Sequence, residues 1–472
     1  MDEPVQVKIS KLAVLSLVLG ILSLFFFVLA GIPAIVIGII STLKIRRSGG
    51  ELKGKYIALA GMNISIVFMA IFYLFWRIDA PPIPKDYTIA DLRSAPAECT
   101  DSFEILKILI DEPWDTPGAP AVGLSKRDVD MIDDIRDALQ KGTDAEIARI
   151  LSYDSNDIKA AWAASEKARD IIRKLNAFPE IADLSEPEIG SKTMRWHNLI
   201  ELARLYEICA HLQIEQDDIR AFTIELVELD SVFRKLSLNV RLFVERLICH
   251  ACLETDIDTA NVIVNNTNAS RNTVELLAKQ FTPVTAQQLS VRNGMLSEYL
   301  LMKNIVMEIS HASRAEKTRL LKTNSTLRVY KNYCDDWLTA MEPGVDVIAT
   351  KLSAWPNHYP FKEPDLLSSR GMLTLIYWCY NPLGSECICR FMFFPKMDFR
   401  KRFTVPVHDD LFQIVLNKRL DKEMSLKARA YGDEYIVDIE NRKIFSPGPD
   451  GKADTKDDII LRIDPDVLGW RD

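Results

Sequence analysis

The sequence predicts a mainly α protein, in which N-terminal transmembrane helices carry a large α-helical ectodomain that ends in a small antiparallel β tail. Three observations predict it. Leu12 to Leu43 and Tyr56 to Trp76 are almost unbroken apolar runs. From Leu124 onward, apolar residues recur at helical spacing over roughly two hundred residues. After Pro343 that period is broken by prolines, Trp355, His358, Tyr359 and Trp378, and short alternating segments close the chain.

Residues 1–76 form the expected anchor. Tyr56 to Trp76 holds no charge, and as a helix it reaches about 31 Å, close to the roughly 30 Å hydrocarbon core. Tyr56, Tyr73 and Trp76 lie near its ends, where aromatic side chains prefer the interface. Asn63 and Ser65, its strongly polar interior residues, are read as bonding a neighbouring helix rather than an ion or substrate. Leu12 to Leu43 exceeds one upright span, at about 48 Å of helix. Gly31-Ile32-Pro33 interrupts it, because proline removes a helical donor and restricts the residue before it. Two readings follow: one long kinked crossing, which is preferred, or a tight hairpin that enters and returns. The run is too long for a cleaved signal peptide, and no small-residue cleavage site follows it.

The connecting loop 44–55 sets the orientation. It holds Lys44, Arg46, Arg47, Lys53 and Lys55 against Glu51. Short loops rich in Lys and Arg stay in the cytoplasm. One span follows, so the large domain is expected outside under either reading of the first run.

Four stretches carry a resemblance: Ser16-Leu17-Val18-Leu19-Gly20-Ile21-Leu22, Gly31-Ile32-Pro33-Ala34-Ile35-Val36-Ile37-Gly38, Lys44-Ile45-Arg46-Arg47-Ser48-Gly49-Gly50 and Gly54-Lys55-Tyr56-Ile57-Ala58-Leu59-Ala60-Gly61-Met62. Residues 10–76 resemble a small bacterial membrane module, the domain of unknown function 4190. The resemblance implies a two-helix membrane anchor and no known chemistry; with the basic loop and the apolar runs, the expected place is multi-pass in the bacterial inner (cytoplasmic) membrane.

Residues 1–76 carry net +4 and the whole chain −8, so the remainder carries −12. An acidic ectodomain argues against nucleic acid or an anionic lipid surface as its partner. Eight Cys in 472 residues are not a disulfide scaffold. Residues 77–101 are the linker, with Asp79-Ala80-Pro81-Pro82-Ile83-Pro84 as a stiff extended spacer that lifts the domain off the membrane.

Residues 102–342 are the helical ectodomain. Ser102 is expected to cap a helix to Glu112, and Ser125 another. Pro113 to Gly123 is a loop. Thr143-Asp144-Ala145-Glu146 and Thr285-Ala286-Gln287-Gln288 are capping boxes, in which each end satisfies an orphan backbone donor of the other. Asp154 to Leu175, Trp196 to Leu212, Asp217 to Leu236, Leu238 to Leu253 and Thr285 to His311 are amphipathic stretches without a fixed repeat.

Residues 343–472 are a mixed α/β tail. Glu386 to Phe394 is apolar and undecided between strand and helix, and Asp409 to Lys418 is helix. Glu434 to Ile439 and Lys443 to Ser446 flank a turn at Asn441-Arg442, and Asp458 to Ile463 is the closing strand. Leu92-Arg93-Ser94-Ala95-Pro96-Ala97-Glu98-Cys99, Phe178-Pro179-Glu180-Ile181-Ala182-Asp183-Leu184, Leu321-Lys322-Thr323-Asn324-Ser325-Thr326-Leu327 and Asn381-Pro382-Leu383-Gly384 resemble uncharacterised exported helical proteins of bacteria. That resemblance implies a long helical ectodomain and no activity.

No zinc-protease helix, nucleophile elbow, P-loop or dinucleotide fingerprint is present. Cys249-His250-Ala251-Cys252 is read as buried mid-helix, with a disulfide to Cys209 or another Cys and a metal or redox role as the alternatives. Cys387-Ile388-Cys389 is read as core. Asp335-Asp336 and Asp409-Asp410 are adjacent, so their side chains diverge by about 100° on a helix. They are read as solvated helix ends.

The loop 446–459 is the one candidate metal site. Asp450, Asp457 and Asp458, with Asp454 peripheral, fall in a segment that Gly448 and Gly451 allow to curl. Calcium takes six to eight oxygens from carboxylates and carbonyls. The spacing is not an EF-hand, and Lys452 and Lys456 reduce the local negative charge. The segment resembles the calcium loop of the major pseudopilins of type II secretion, without the pilin-type N-terminus that filament assembly needs. An acidic hairpin without metal is the competing reading.

Together these point to a membrane-anchored, extracytoplasmic, non-enzymatic binding or scaffold module of the cell envelope. Its expected partners are the lipid bilayer and another envelope protein, and no small-molecule ligand is identified. One alternative is an enzyme with a site assembled from distant residues such as His358 and His408. The other is an accessory subunit of a secretion or pilus-like system.

Overall fold

The computed structural model describes residues 8–49, 51–92, 99–110, 124–141, 155–182, 184, 196–213, 219–290, 292–312, 321–341, 380–381, 383, 385, 387–388, 404–428, 431, 434–448 and 450–470. The expected capping box at Thr143, the loop from Pro113 and most of residues 343–403 lie outside them. The protein is mainly helical, with a small antiparallel sheet near its C-terminus. It divides into two compact units. One is Met1–Ile83, Ile309–Thr326 and Met372–Glu386; the other is Pro84–Glu308, Leu327–Gly371 and Cys387–Asp472.

In the first unit, strand β1 (Lys8–Ile9) leads into helix α1 (Lys11–Arg47), and strand β2 (Leu52–Lys53) into α2 (Lys55–Arg77). The preferred single crossing is overturned, because α1 folds back on itself. Ser16 Oγ donates to the Ala34 carbonyl at 2.8 Å, and the Ser10 and Ser41 hydroxyls lie 3.3 Å apart. In a straight helix, eighteen residues would separate Ser16 from Ala34 by about 27 Å. The reversal falls between Ser23 and Gly31, whose Cβ position is 3.7 Å from Ser23 Cβ. Pro33 therefore sits early in the returning arm and does not make the break; proline fits near a helix start, where backbone donors lack partners anyway.

Small residues make this packing possible. Ala13, Ser16, Ala34, Ala58 and Ser65 are buried along the seam. A Cβ on Gly20 would lie 2.5 Å from the Gly61 carbonyl oxygen, and one on Gly61 would lie 2.5 Å from that of Ser16. Close approach of this kind is how helices associate where no water drives them together. Ser65 bonds the Gly61 carbonyl of its own helix at 2.9 Å, and Asn63 is exposed, so neither makes the expected bond to a neighbouring helix. The outer faces are apolar, with Val18, Ile21, Leu29, Ile40, Val67, Ile71 and Leu74 exposed.

The second unit is the helical array: α3 (Cys99–Ile110), α4 (Lys126–Lys141), α5 (Ser155–Ala164), α6 (Glu166–Asn176), α7 (His197–Gln213), α8 (Ile219–Asn239), α9 (Phe243–Val264), α10 (Arg271–Gln280), α11 (Ala286–Leu289), α12 (Arg292–Ala312), α13 (Thr323–Met341) and α14 (Thr404–Arg419), with the ends of α12 and α13 shared with the first unit. Helix α9 is central and packs against α7, α8 and α14. Its apolar residues are spread round all faces, as befits a buried helix.

Strands β3 (Ile436–Asp438), β4 (Lys443–Ser446) and β5 (Ile459–Arg462) form an antiparallel sheet in that order, as expected. The sheet joins the helical core: Asn261 of α9 donates to the Arg462 carbonyl at 2.8 Å, and the Asn265 side chain accepts from Asp464 N at 2.6 Å.

Two capping expectations hold. Ser125 and Asp128 cap α4 reciprocally, as do Thr285 and Gln288 at α11. Ser102 does not cap: α3 begins at Cys99, and the Ser102 hydroxyl bonds back to the Cys99 carbonyl at 2.9 Å. The stretch read as one helix over 154–175 breaks at Ser165, whose hydroxyl turns back to the Trp162 carbonyl. Serine competes in this way with helical hydrogen bonding.

Candidate functional site

Three places carry chemistry: the charged end of the helical hairpin, the acidic loop, and a buried polar cluster that sequence reasoning missed.

At the hairpin end, β1 pairs in parallel with β2, placing Lys8 beside Leu52 and Ile9 beside Lys53. Ser10 N donates to the Lys53 carbonyl at 3.0 Å. These contacts gather Lys8, Lys11, Lys44, Arg46, Arg47, Lys53 and Lys55 at one end, all exposed, with Glu51 the one described acid among them. Neither α1 nor α2 has an acid in its first turn.

The loop 446–459 curls through positive φ at Gly448, Gly451 and Asp454. Its carboxylates serve the loop itself. Asp457 Oδ2 accepts from Asp450 N at 3.1 Å and Asp458 Oδ2 from Asp454 N at 2.8 Å. The Thr455 hydroxyl is 2.7 Å from Asp457 Oδ1, and Lys443 pairs with Asp454 at 2.9 Å. Among the described residues no three His, Cys, Asp or Glu side chains gather as a metal set. Asp450 Oδ1 accepts from Lys452 N at 2.8 Å, so Asp450, Asp457 and Asp458 would all have to exchange such donors for an ion to hold calcium.

The other flagged residues fall into structural places. Cys249 and Cys252 are fully buried on α9, and among the described residues neither they nor Cys209 and Cys387 form a disulfide; Cys389 and His358 lie outside the described residues. His250 Nε2 is 3.3 Å from the Gln288 carbonyl oxygen. Burial pushes His408 down to about 4, which keeps it neutral. Asp409 is not a solvated helix end: it is fully buried and accepts Val284 N at 2.8 Å, because α14 already begins at Thr404. Asp410 accepts the Tyr435 hydroxyl at 2.6 Å. Asp335 takes the Tyr87 hydroxyl at 2.5 Å and Lys331 at 2.7 Å.

The buried cluster lies within the helical array. Arg234 donates to Asp230 at 2.6 Å and to the Thr282 carbonyl at 2.7 Å, beside a cavity of about 150 Å³ that Ser231, Lys235, Gln280 and Gln288 also line. Asp256, fully buried, finds no hydrogen-bond partner among the described residues. Arg136 reaches Glu207 at 3.3 Å and Thr255 at 3.4 Å. Burial, and then the neighbouring Asp258, push Glu207 upward and Glu254 to about 8. The signal was present in Glu254-Thr255-Asp256-Ile257-Asp258, where acids interrupt a helix apolar enough to be central.

Residues 12–75 match the family described as Domain of unknown function (DUF4190). No curated protein and no solved structure matches the chain. The family match supports the module read at the N-terminus; the exported-protein and pseudopilin resemblances find no such support.

Proposed function

We propose that the chain is a membrane-anchored envelope protein whose N-terminal module sits in a bacterial inner membrane and holds the helical array outside the cytoplasm. The observation that carries this is the bundle itself, apolar on its outer faces and cationic at one end. Leu29–Arg47 and Lys55–Leu74 are long and apolar enough to cross a membrane. The module then has three arms rather than two helices: the outgoing and returning arms of α1, and α2. With the cationic end in the cytoplasm, α2 delivers Ile78 onward to the far side.

For the array we propose a non-enzymatic binding or scaffold role with another envelope protein as partner. Glu207 and Asp256 are buried in helix packing, and of the flagged residues Cys209, Cys249, His250, Cys252 and Cys387 are buried. Calcium at 446–459 enters this proposal as a weak ligand, since extracellular modules work at roughly 10⁻⁴–10⁻³ M.

A reporter active only outside the cytoplasm, fused after Asp472, tests the orientation, and alkaline carbonate extraction of membranes tests the anchoring. Activity of the reporter and retention in the pellet are expected. A soluble chain, or a cytoplasmic C-terminus, overturns the reading.

A further inference from the structure

We propose that the cationic end of the hairpin is a binding collar for anionic phospholipid headgroups. This rests on the membrane reading above and goes beyond it, because a basic loop that only sets topology needs no assembled surface. Three separate segments build this one. The parallel pairing of Lys8–Ile9 with Leu52–Lys53 brings the N-terminal strand alongside the loop. The fold-back of α1 returns Lys44, Arg46 and Arg47 to the end where Lys11 starts, as the Ser10–Ser41 contact shows.

The plain alternative is a solvated charge run that complements helix dipoles. It accounts for Lys44, Arg46 and Arg47, which lie in the last turn of α1, where cations are favourable. It does not account for Lys11 and Lys55. Each opens a helix whose first turn has no acid, and a cation there opposes the dipole. An external anion removes that conflict and suits the orphan backbone donors that a helix start carries. The apolar surroundings select the source of the anion. Ile9 is 60% exposed beside Lys8, and Tyr56 is 84% exposed beside Lys55. A headgroup phosphate joined to acyl chains satisfies cations and apolar neighbours together, and a free phosphate or a nucleic acid satisfies the cations alone.

The test uses the full chain purified in a neutral detergent. Short-chain phosphatidylglycerol, short-chain phosphatidylcholine, inorganic phosphate and a single-stranded oligonucleotide are titrated separately at low and high salt. Phosphatidylglycerol is expected to bind about tenfold tighter than phosphatidylcholine at low salt, and the preference is expected to shrink several-fold in about 0.5 M salt. Replacing Lys8, Lys11, Lys53 and Lys55 by Gln is expected to abolish most of the preference with helix content unchanged. Equal binding of the two lipids, or a salt-independent preference, overturns the proposal. Inorganic phosphate or the oligonucleotide matching phosphatidylglycerol also overturns it, in favour of a free-anion or nucleic-acid site. If the Gln variant does not fold, the salt dependence of the unmodified chain still decides. Carbonate extraction reports separately on anchoring, so an integral protein without lipid preference loses the collar and keeps the anchor.

Discussion

The carboxylate of Asp79 caps the helix that begins beside Asn324: Oδ2 accepts Asn324 N at 2.9 Å and Oδ1 accepts Ser325 N at 3.1 Å. These are orphan donors of the first turn of α13. The Asn324 side chain answers by donating to the Ala80 carbonyl at 2.9 Å, and the Tyr380 hydroxyl donates to that of Ile78 at 2.6 Å. The proline-rich spacer is thus extended but tied down. Asp79→Ala is expected to lower stability by about 1 kcal/mol, with Asp79→Asn losing less. Thermal unfolding of the full chain in detergent, with hydrogen exchange at Asn324 and Ser325, reads both. Unchanged protection at these amides would show that the cap adds nothing.

The seam of the N-terminal module gives a sharper mutation. Gly61→Val places a branched side chain where Cβ alone would lie 2.5 Å from the Ser16 carbonyl. No flexible side chain is there to yield, so the arms have to separate. Gly49→Ala is the control, because its Cβ meets nothing within 4 Å and only its positive φ is strained. Protease resistance of the module is expected to fall strongly in Gly61→Val, and the control to lose about 1 kcal/mol. Equal behaviour of the two variants would refute close packing of the arms.

These two relationships mark the limit of what the sequence made legible. Signals contained within a few residues were readable: the caps at Ser125 and Thr285, the apolar runs, and the turn between Ile436–Asp438 and Lys443–Ser446. The fold-back of α1 was half legible. Ser10, Ser16 and Ser23 face Ser41, Ala34, Gly38 and Gly31, and small residues set on both sides of a centre suit a close-packed hairpin. Pro33 drew the reading instead, because a proline inside an apolar run looks like a kink until its place in the returning arm is known. Asp79 and Asn324 are 245 residues apart, as the Asp79–Ser325 pair nearly is, and no local pattern announces such a cap. Asp409 was misplaced for a related reason: an acid near an expected helix start reads as solvated until the start is seen to lie at Thr404.

The buried acids predict an inverted pH profile. Glu254, raised to about 8 by burial and by Asp258, binds its proton more tightly in the folded chain than in the unfolded one, whose ordinary value is 4.5. Its stabilising contribution is therefore complete below pH 4.5 and is lost as pH rises through about 8. Glu207 and Asp258 are pushed up as well and act in the same sense. His408 opposes them at the acid end: held neutral down to about 4, it contributes above pH 6.5 and loses that contribution as pH falls. The melting temperature is expected to fall between pH 6 and pH 8. Glu254→Gln is expected to raise it at pH 8, on the order of 5 °C, and to leave it unchanged at pH 5. A gain of equal size at both pH values would remove the titration argument.

The acidic loop separates its two readings through Asp457. Its Oδ2 holds Asp450 N and its Oδ1 the Thr455 hydroxyl, so Asp457→Ala destabilises the turn whether or not a metal binds. Gly448→Ala does the same for a different reason, since its Cβ would lie 2.1 Å from the Asp457 carbonyl oxygen at a positive φ. Loss of stability in either variant thus says nothing about calcium; the difference between calcium and chelator does. If calcium is taken up, Asp450, Asp457 and Asp458 release their intraloop donors to the ion, and the unmodified chain gains stability with rising calcium. At a calcium concentration about tenfold above a millimolar dissociation constant, the gain is about 1.4 kcal/mol. Asp457→Ala, lacking a ligand, gains nothing beyond its behaviour in chelator. Asp454→Ala keeps the response, because that carboxylate points to Lys443 and stands at the periphery. Thermal shift across chelator and millimolar calcium reads all three. An unmodified chain that melts at one temperature in both conditions leaves the loop as an acidic hairpin whose carboxylates are already spent on its own backbone.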